Sequence, residues 1–232
     1  MTLITGPEKG QSAELNITEK SQERVLIGLA WDPNTLDKIQ EAKQILRGVD
    51  DVLFGKIHLF KANVARISEK MDTESRETDD QNFDLDLSCF AFDRDGNFQS
   101  LVDPNAWHAI DTTGKIYHTG DDPTGHQGPD DEQIHIELKD LPDNLHEFFI
   151  VVQSDCAHSF DKIKNAEIRI ADSFTNTNIL QSKLNIAEGN NKYGFVYCRI
   201  YKQNNNWMIE NISKFCEFDE EWPIFLQNLK KA

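Results

Sequence analysis

The chain lacks the features that would announce several common functions. Its 232 residues include only four cysteines, Cys89, Cys156, Cys198 and Cys216, far apart and with no CxxC pair. That argues against a zinc ribbon or a disulfide frame and favours buried free thiols in a reducing compartment. The seven histidines, at positions 58, 108, 118, 126, 135, 146 and 158, show no HxxxH or HxH spacing, so no histidine-built metal motif is encoded. No apolar run approaches a membrane span and no leader-like stretch stands near Met1; the expectation is a soluble, cytoplasmic protein. Positive charge is scarce too. Lys and Arg total 24 against 40 Asp and Glu, a net charge of -16. A field of that sign attracts cations and repels nucleic acid and anionic membrane.

The acid is concentrated. Residues 84–132 hold eleven Asp or Glu against Arg94 and Lys115 alone, which places -9 of the -16 there. At the centre is Gly120-Asp121-Asp122-Pro123-Thr124-Gly125-His126-Gln127-Gly128-Pro129-Asp130-Asp131-Glu132. Its glycines and prolines forbid a helix, and it has five carboxylates with no Lys or Arg among them. Like charges so close repel unless water or a cation absorbs the cost. An acidic Gly/Pro loop is most often a solvated turn. An oxygen-only donor set on such a loop also suits a hard cation such as Ca2+, which takes about six to eight oxygens.

Two further patterns support the cation. Phe83-Asp84-Leu85-Asp86-Leu87-Ser88-Cys89-Phe90-Ala91-Phe92 reads as a strand, with Asp84, Asp86 and Ser88 on the same face as Phe90 and Phe92. Carboxylates two residues apart lie about 7 Å apart along a strand and can bend to bracket one ion. In the strand from Glu132 to Leu138, Glu132 is in phase with Ile134, Ile136 and Leu138. An acid in an inward row needs a partner, because an unpaired buried carboxylate is costly.

The rest of the chain reads as strands broken by turns. Segments 13–18 and 24–31 are extended, followed by 83–92, 97–102, 106–110, 115–118, 132–138, 146–153, 165–172, 179–184, 194–202 and 206–213. Asp95-Gly96, Thr113-Gly114, Pro142-Asp143-Asn144, Asn176-Thr177-Asn178, Gly189-Asn190-Asn191 and Asn204-Asn205 separate them. Short strands at this spacing predict an all-β, two-sheet sandwich. Between the second and third strands the period changes. Helical spacing runs from Leu36 to Ile67, weakened at Gly55 and with an extended reading of Phe54 to Leu59 left open, and the polar stretch 68–82 has no apolar period. Residues 34–82 are therefore expected to be a helical insertion ending in a tether. Trp222, Phe225, Leu226 and Leu229 have helical spacing and predict a C-terminal helix within a 214–232 tail. The whole of 1–232 is thus read as one sandwich domain with these two additions.

These residues resemble a known family. Phe83-Asp84-Leu85-Asp86-Leu87-Ser88, His118-Thr119-Gly120-Asp121-Asp122-Pro123-Thr124-Gly125 and Asp130-Asp131-Glu132-Gln133-Ile134 are similar to motifs of the tellurium-resistance TerD family. Gly28-Leu29-Ala30-Trp31-Asp32, Phe149-Ile150-Val151-Val152 with Ser154-Asp155, and Asn165-Ala166-Glu167-Ile168-Arg169-Ile170 with Asp172 extend the likeness. It covers about 10–33 and 83–213. The resemblance implies a β-sandwich with Ca2+-binding acidic loops and a role in bacterial stress response: tellurite, other chemical stress or phage defence. It places metal ligands at Asp84, Asp86, Asp121, Asp122, Asp130, Asp131 and Glu132, with Asp32 and Asp155 as additions. Further acids of the family's loop have no counterpart at His126-Gln127-Gly128-Pro129, which leaves a second ion unsupported. The 34–82 segment replaces a short loop of the family.

Competing constellations are weaker. Asp93-Arg94-Asp95-Gly96-Asn97 mimics part of an EF-hand, but position twelve is Pro104 rather than Glu; a hairpin turn is preferred. Ser154-Asp155 with His158 has no strained nucleophile elbow, and no acid, base and nucleophile set assembles, so no enzyme is expected. His118 is read as orienting the acidic loop or capping a strand, and Trp31, Trp107, Trp207 and Trp222 as core and edge packing. Three functions follow: a Ca2+-binding module scaffolding protein partners in a stress-response complex, a Ca2+-dependent sensor of membrane or anionic lipid, or a metal-free interaction sandwich. Exposed apolar or basic loop tips beside the acids would favour the lipid sensor. The tips visible in sequence are Pro123, His126, Gln127 and Pro129, so the scaffold is preferred.

Overall fold

Alternation of apolar and polar residues decides the architecture. We describe a computed structural model of the chain, over residues 6–18, 20, 23–32, 83–125, 129–154, 158–184, 187–217 and 221–230. These belong to the unit formed by residues up to Asp32 and from Phe83 onward. The helical insertion expected over 34–82 lies outside the described residues.

The strands are β1 (Ser12–Glu14), β2 (Arg24–Ala30), β3 (Leu85–Phe92), β4 (Phe98–Val102), β5 (Ile116–His118), β6 (Glu132–Glu137), β7 (Glu147–Ser154), β8 (Glu167–Asp172), β9 (Asn178–Lys183), β10 (Gly194–Gln203) and β11 (Asn206–Cys216). A six-stranded sheet has the order β1-β11-β10-β7-β3-β4, and a five-stranded sheet the order β5-β6-β2-β8-β9. Strand pairing is antiparallel in both. The fold is the two-sheet β-sandwich the sequence predicts.

Period-two alternation fills the space between the sheets. Leu85, Leu87, Cys89 and Ala91 of β3 and Phe148, Ile150 and Val152 of β7 meet Val25, Ile27 and Leu29 of β2 and Ile134 and Ile136 of β6. The opposite faces of β3, β7 and β10 carry a second apolar cluster of Phe90, Phe92, Phe149, Val151 and Val196. Those central strands are therefore apolar on both faces, and something must cover the outer one. Helix α1 (Trp222–Leu229) does so, burying Trp222 and Leu226. At eight residues it is too short to persist alone in water, so packing holds it in place. Lys230, just beyond it, pairs with the buried Glu147, which also pairs with Arg199 at 3.1 Å. In β10 a register shift after Val196 lets the consecutive residues Tyr197 and Cys198 both enter the inter-sheet core, as a bulge permits.

One expected strand is absent. Residues 106–110 form a loop in which only Ile110 makes an isolated bridge, to Tyr117. Side chains compete with the ladder there. Asp103 Oδ1 accepts the N–H of Asn105 at 3.0 Å, and Asn105 Oδ1 accepts that of Trp107 at 3.0 Å. Asp93-Arg94-Asp95-Gly96-Asn97 is the hairpin turn expected: Asp93 caps it through Asn97, and Gly96 sits at φ +86°.

Candidate metal centre

The site is built where β3 outruns β4. Pairing between the two strands begins at Cys89, so the first residues of β3 have an open edge. Into it comes Glu132, the first residue of β6 in the opposite sheet. Its Oε2 accepts the N–H of Leu87 at 2.8 Å, and its Oε1 accepts that of Asp122 at 3.3 Å. Leu87 follows Asp86 and Asp122 follows Asp121, so one carboxylate joins the two acidic segments. His118 closes the arrangement. Gly120 N–H donates to its Nδ1 at 3.1 Å, which leaves the hydrogen on Nε2, 3.3 Å from Glu132 Oε2. Both side chains are wholly buried. Burial pushes the Glu132 carboxyl above its ordinary range, while His118 and the N–H groups of Leu87 and Asp122 pull it back.

This clamp brings Asp84, Asp86 and Asp121 together. One carboxylate oxygen from each lies within 4.8 Å of the others. Asp86 stands in β3 and Asp84 immediately before it, two residues apart as the alternation required, and Asp121 arrives from the loop after β5. A cleft of about 310 Å³ adjoins them, lined by Asp86, Ser88, Asp103, Pro104, Asn105, Asp121 and Gln153. The donors are carboxylate, amide and hydroxyl oxygens. Their spread fits a cation with ligands at about 2.3–2.6 Å, the range of Ca2+, and the absence of nitrogen and sulfur donors from this set suits a hard ion.

The remaining candidates stand elsewhere. Asp122 Oδ1 accepts the N–H and hydroxyl of Thr124 at 2.9 and 2.7 Å, shaping the turn. Asp131 Oδ2 accepts the N–H of Trp31 at 2.9 Å, and Asp32 accepts Asn165 Nδ2 at 2.8 Å. Asp155 lies outside the described residues. Asp130 meets a cation the loop itself does not have. Arg169 of β8 grips it in a two-pronged pair, Nε to Oδ1 at 2.8 Å and a terminal nitrogen to Oδ2 at 2.6 Å. Its charge is thereby satisfied by protein. The pair lies across β2 at Gly28, where a Cβ would stand 2.3 Å from Asp130 Oδ1. Gly125, at φ +70°, is equally constrained: a Cβ there would stand 2.7 Å from Trp31 Nε1. The Trp31 indole donates to Phe83 O at 2.8 Å, so the loop packs beside the start of the Asp84–Asp86 segment.

Sequence reasoning missed Asp103, Asn105 and Gln153 in the cleft wall. The turn formers Asp103-Pro104-Asn105 were the available signal; Gln153 gave none, since only its register opposite Asp86 places it there. The expectation for the tryptophans holds at Trp31 and Trp222, both 4% exposed, but fails at Trp107, which is 90% exposed. Asn105 takes the Trp107 N–H that a strand would have used.

A family model, the TerD domain, matches residues 55–217. The tellurium resistance protein TerD of Serratia marcescens is 25% identical over 69% of this chain and 86% of its own length. General stress protein 16U of Bacillus subtilis is 24% identical over 88% of this chain and 86% of its own. Among solved structures, a homologue of telluride resistance protein TerD from Streptomyces coelicolor superposes with a TM-score of 0.58 at 13% identity, covering 85% of this chain and 92% of that one; that likeness is one of fold. With the match spanning most of the sandwich and both acidic segments, this chain belongs to the TerD family.

Proposed function

We propose that this member of a tellurium- and stress-resistance family binds Ca2+ through Asp84, Asp86 and Asp121 and acts without catalysis, as a Ca2+-stabilised interaction module for protein partners. The observation that carries the reading is the convergence of three carboxylates from two distant segments, fixed from behind by the buried Glu132. Bringing such groups together costs Coulomb energy that a divalent ion reverses. The cleft's Asn105, Gln153 and Ser88 would complete the oxygen shell or orient its waters. The described thiols support a non-catalytic role. Cys89, Cys198 and Cys216 are buried, and burial pushes Cys89 and Cys198 well above the range in which a thiolate forms. Free thiols also suit the reducing cytoplasm as the working compartment.

The test is calorimetric titration of metal-free protein with Ca2+ and with Mg2+, beside the double variant D84A/D86A. Wild type should take up Ca2+ in preference to Mg2+, and the double variant should not bind tightly. An unchanged isotherm for the double variant would remove the assignment.

A further inference from the structure

The loop that walls the cleft also carries the most exposed large apolar side chain described in the protein. Trp107 is 90% exposed and Ile110 is 61% exposed. The loop is not loose. Asp103 N–H donates to His108 O, His108 N–H to Asn105 O, and His118 N–H to Ala109 O, at 3.4, 2.8 and 2.8 Å. Asp103 Oδ2 lies 3.1 Å from His108 Nδ1, and the Asp103 and Asn105 side chains cap the backbone as described. An indole held out by an ordered loop has been denied the core at a cost of burial energy, and Trp favours boundaries where one side is apolar and the other wet. Asp103, Pro104 and Asn105 of the same loop line the acidic cleft.

From this juxtaposition we infer that the Trp107 loop docks the cation-loaded cleft onto an anionic phospholipid surface. The inference rests on the Ca2+ reading. Three carboxylates used singly leave the rest of a Ca2+ shell of about six to eight oxygens to the polar side chains of the cleft, to water or to an outside oxygen, and a cleft of about 310 Å³ beside Asp86 and Asp121 can admit one. A lipid phosphate or carboxylate supplies that oxygen, and the adjoining hydrocarbon accepts Trp107 and Ile110. A ligand anionic at its head and apolar behind matches both halves of the surface. The sequence criterion for this class, apolar tips beside the acids, is met by residues the sequence reading had placed in a strand. Without the cation, Asp84, Asp86, Asp103 and Asp121 face an anionic surface with like charge, so docking must depend wholly on the ion.

The experiment is co-sedimentation of the full chain with vesicles of equimolar phosphatidylserine and phosphatidylcholine, or of phosphatidylcholine alone, in millimolar Ca2+ or in EDTA. Tryptophan emission is recorded alongside. The expected result is sedimentation only with phosphatidylserine and Ca2+ together, with a blue shift that is missing from Trp107→Ala. That variant and Ile110→Ser should lower partitioning, Trp107→Ala by roughly tenfold, the weight of a partly buried indole. Both side chains are exposed, so both variants should fold, and calorimetry should return wild-type Ca2+ binding for each. Normal Ca2+ uptake without vesicle binding, or equal sedimentation of wild type and Trp107→Ala, overturns this inference and leaves the Ca2+ reading intact. Absence of Ca2+ uptake overturns the Ca2+ reading itself, and vesicle binding that persists in EDTA overturns the docking mechanism.

Discussion

Replacing Glu132 tests the clamp most directly. The carboxylate is fully buried and accepts from Asp122 on Oε1 and from Leu87 and His118 on Oε2. Glutamine has the same shape but one oxygen fewer. Its best orientation keeps the oxygen toward Leu87 and His118 and turns the NH2 toward the Asp122 N–H, donor against donor. One buried donor is then unsatisfied, at about 1–3 kcal/mol. The amide also escapes the burial cost that raises the Glu132 carboxyl, which offsets part of the loss. A net destabilisation of about 1–2 kcal/mol is expected for Glu132→Gln. Alanine forfeits all three acceptor contacts and leaves a cavity, so Glu132→Ala should lose about 3–5 kcal/mol. Ca2+ binding should weaken in both, because the Asp121 segment loses its tie to β3. Urea denaturation gives the stability order and calorimetry the affinity. If both variants stay within about 0.5 kcal/mol of wild type, the usual range for a surface change, and bind Ca2+ unchanged, the clamp is not what joins the sheets at this end.

Other outcomes follow from single contacts. Ca2+ at a hundredfold excess over its Kd should stabilise the native state by about 2.7 kcal/mol; a melting temperature indifferent to EDTA and millimolar Ca2+ contradicts the site. Burial alone would raise the Asp172 carboxyl, but hydrogen bonds from Thr175 N–H, Thr18 N–H and hydroxyl, and Phe174 N–H hold it down at about 2, against 3.8 for the free side chain. A depressed value means its stabilisation is present above pH ~4 and is lost as the pH falls toward 2, about 2 kcal/mol in all; Asp172→Asn should flatten that limb of the stability–pH curve in metal-free protein. Gly28→Ala should push Asp130 off Arg169 and cost on the order of 3 kcal/mol, read as a lower urea midpoint.

Much of this protein was legible in one dimension because a strand's period is local. Alternation in 83–92 and 132–138 placed Leu85, Leu87, Ile134 and Ile136 inside and put Asp84 and Asp86 in one phase, two residues apart. The same phase showed Glu132 to be an inward acid that needed partners, although sequence could not name them. Helical spacing at Trp222, Phe225, Leu226 and Leu229 gave α1. The strand expected at 106–110 failed because local side-chain caps at Asp103 and Asn105 outcompeted the ladder, a choice apolar periodicity does not register. Which acids converge was decided only in three dimensions. Register sets Gln153 opposite Asp86, and pairing of β2 with β8 lays Arg169 across Gly28 to claim Asp130. Closure of the sandwich brings Glu132 to the open edge of β3. Charge count marks where a cation could be held. The through-space neighbours of each carboxylate, set by sheet order and register, decide which of them converge on one point.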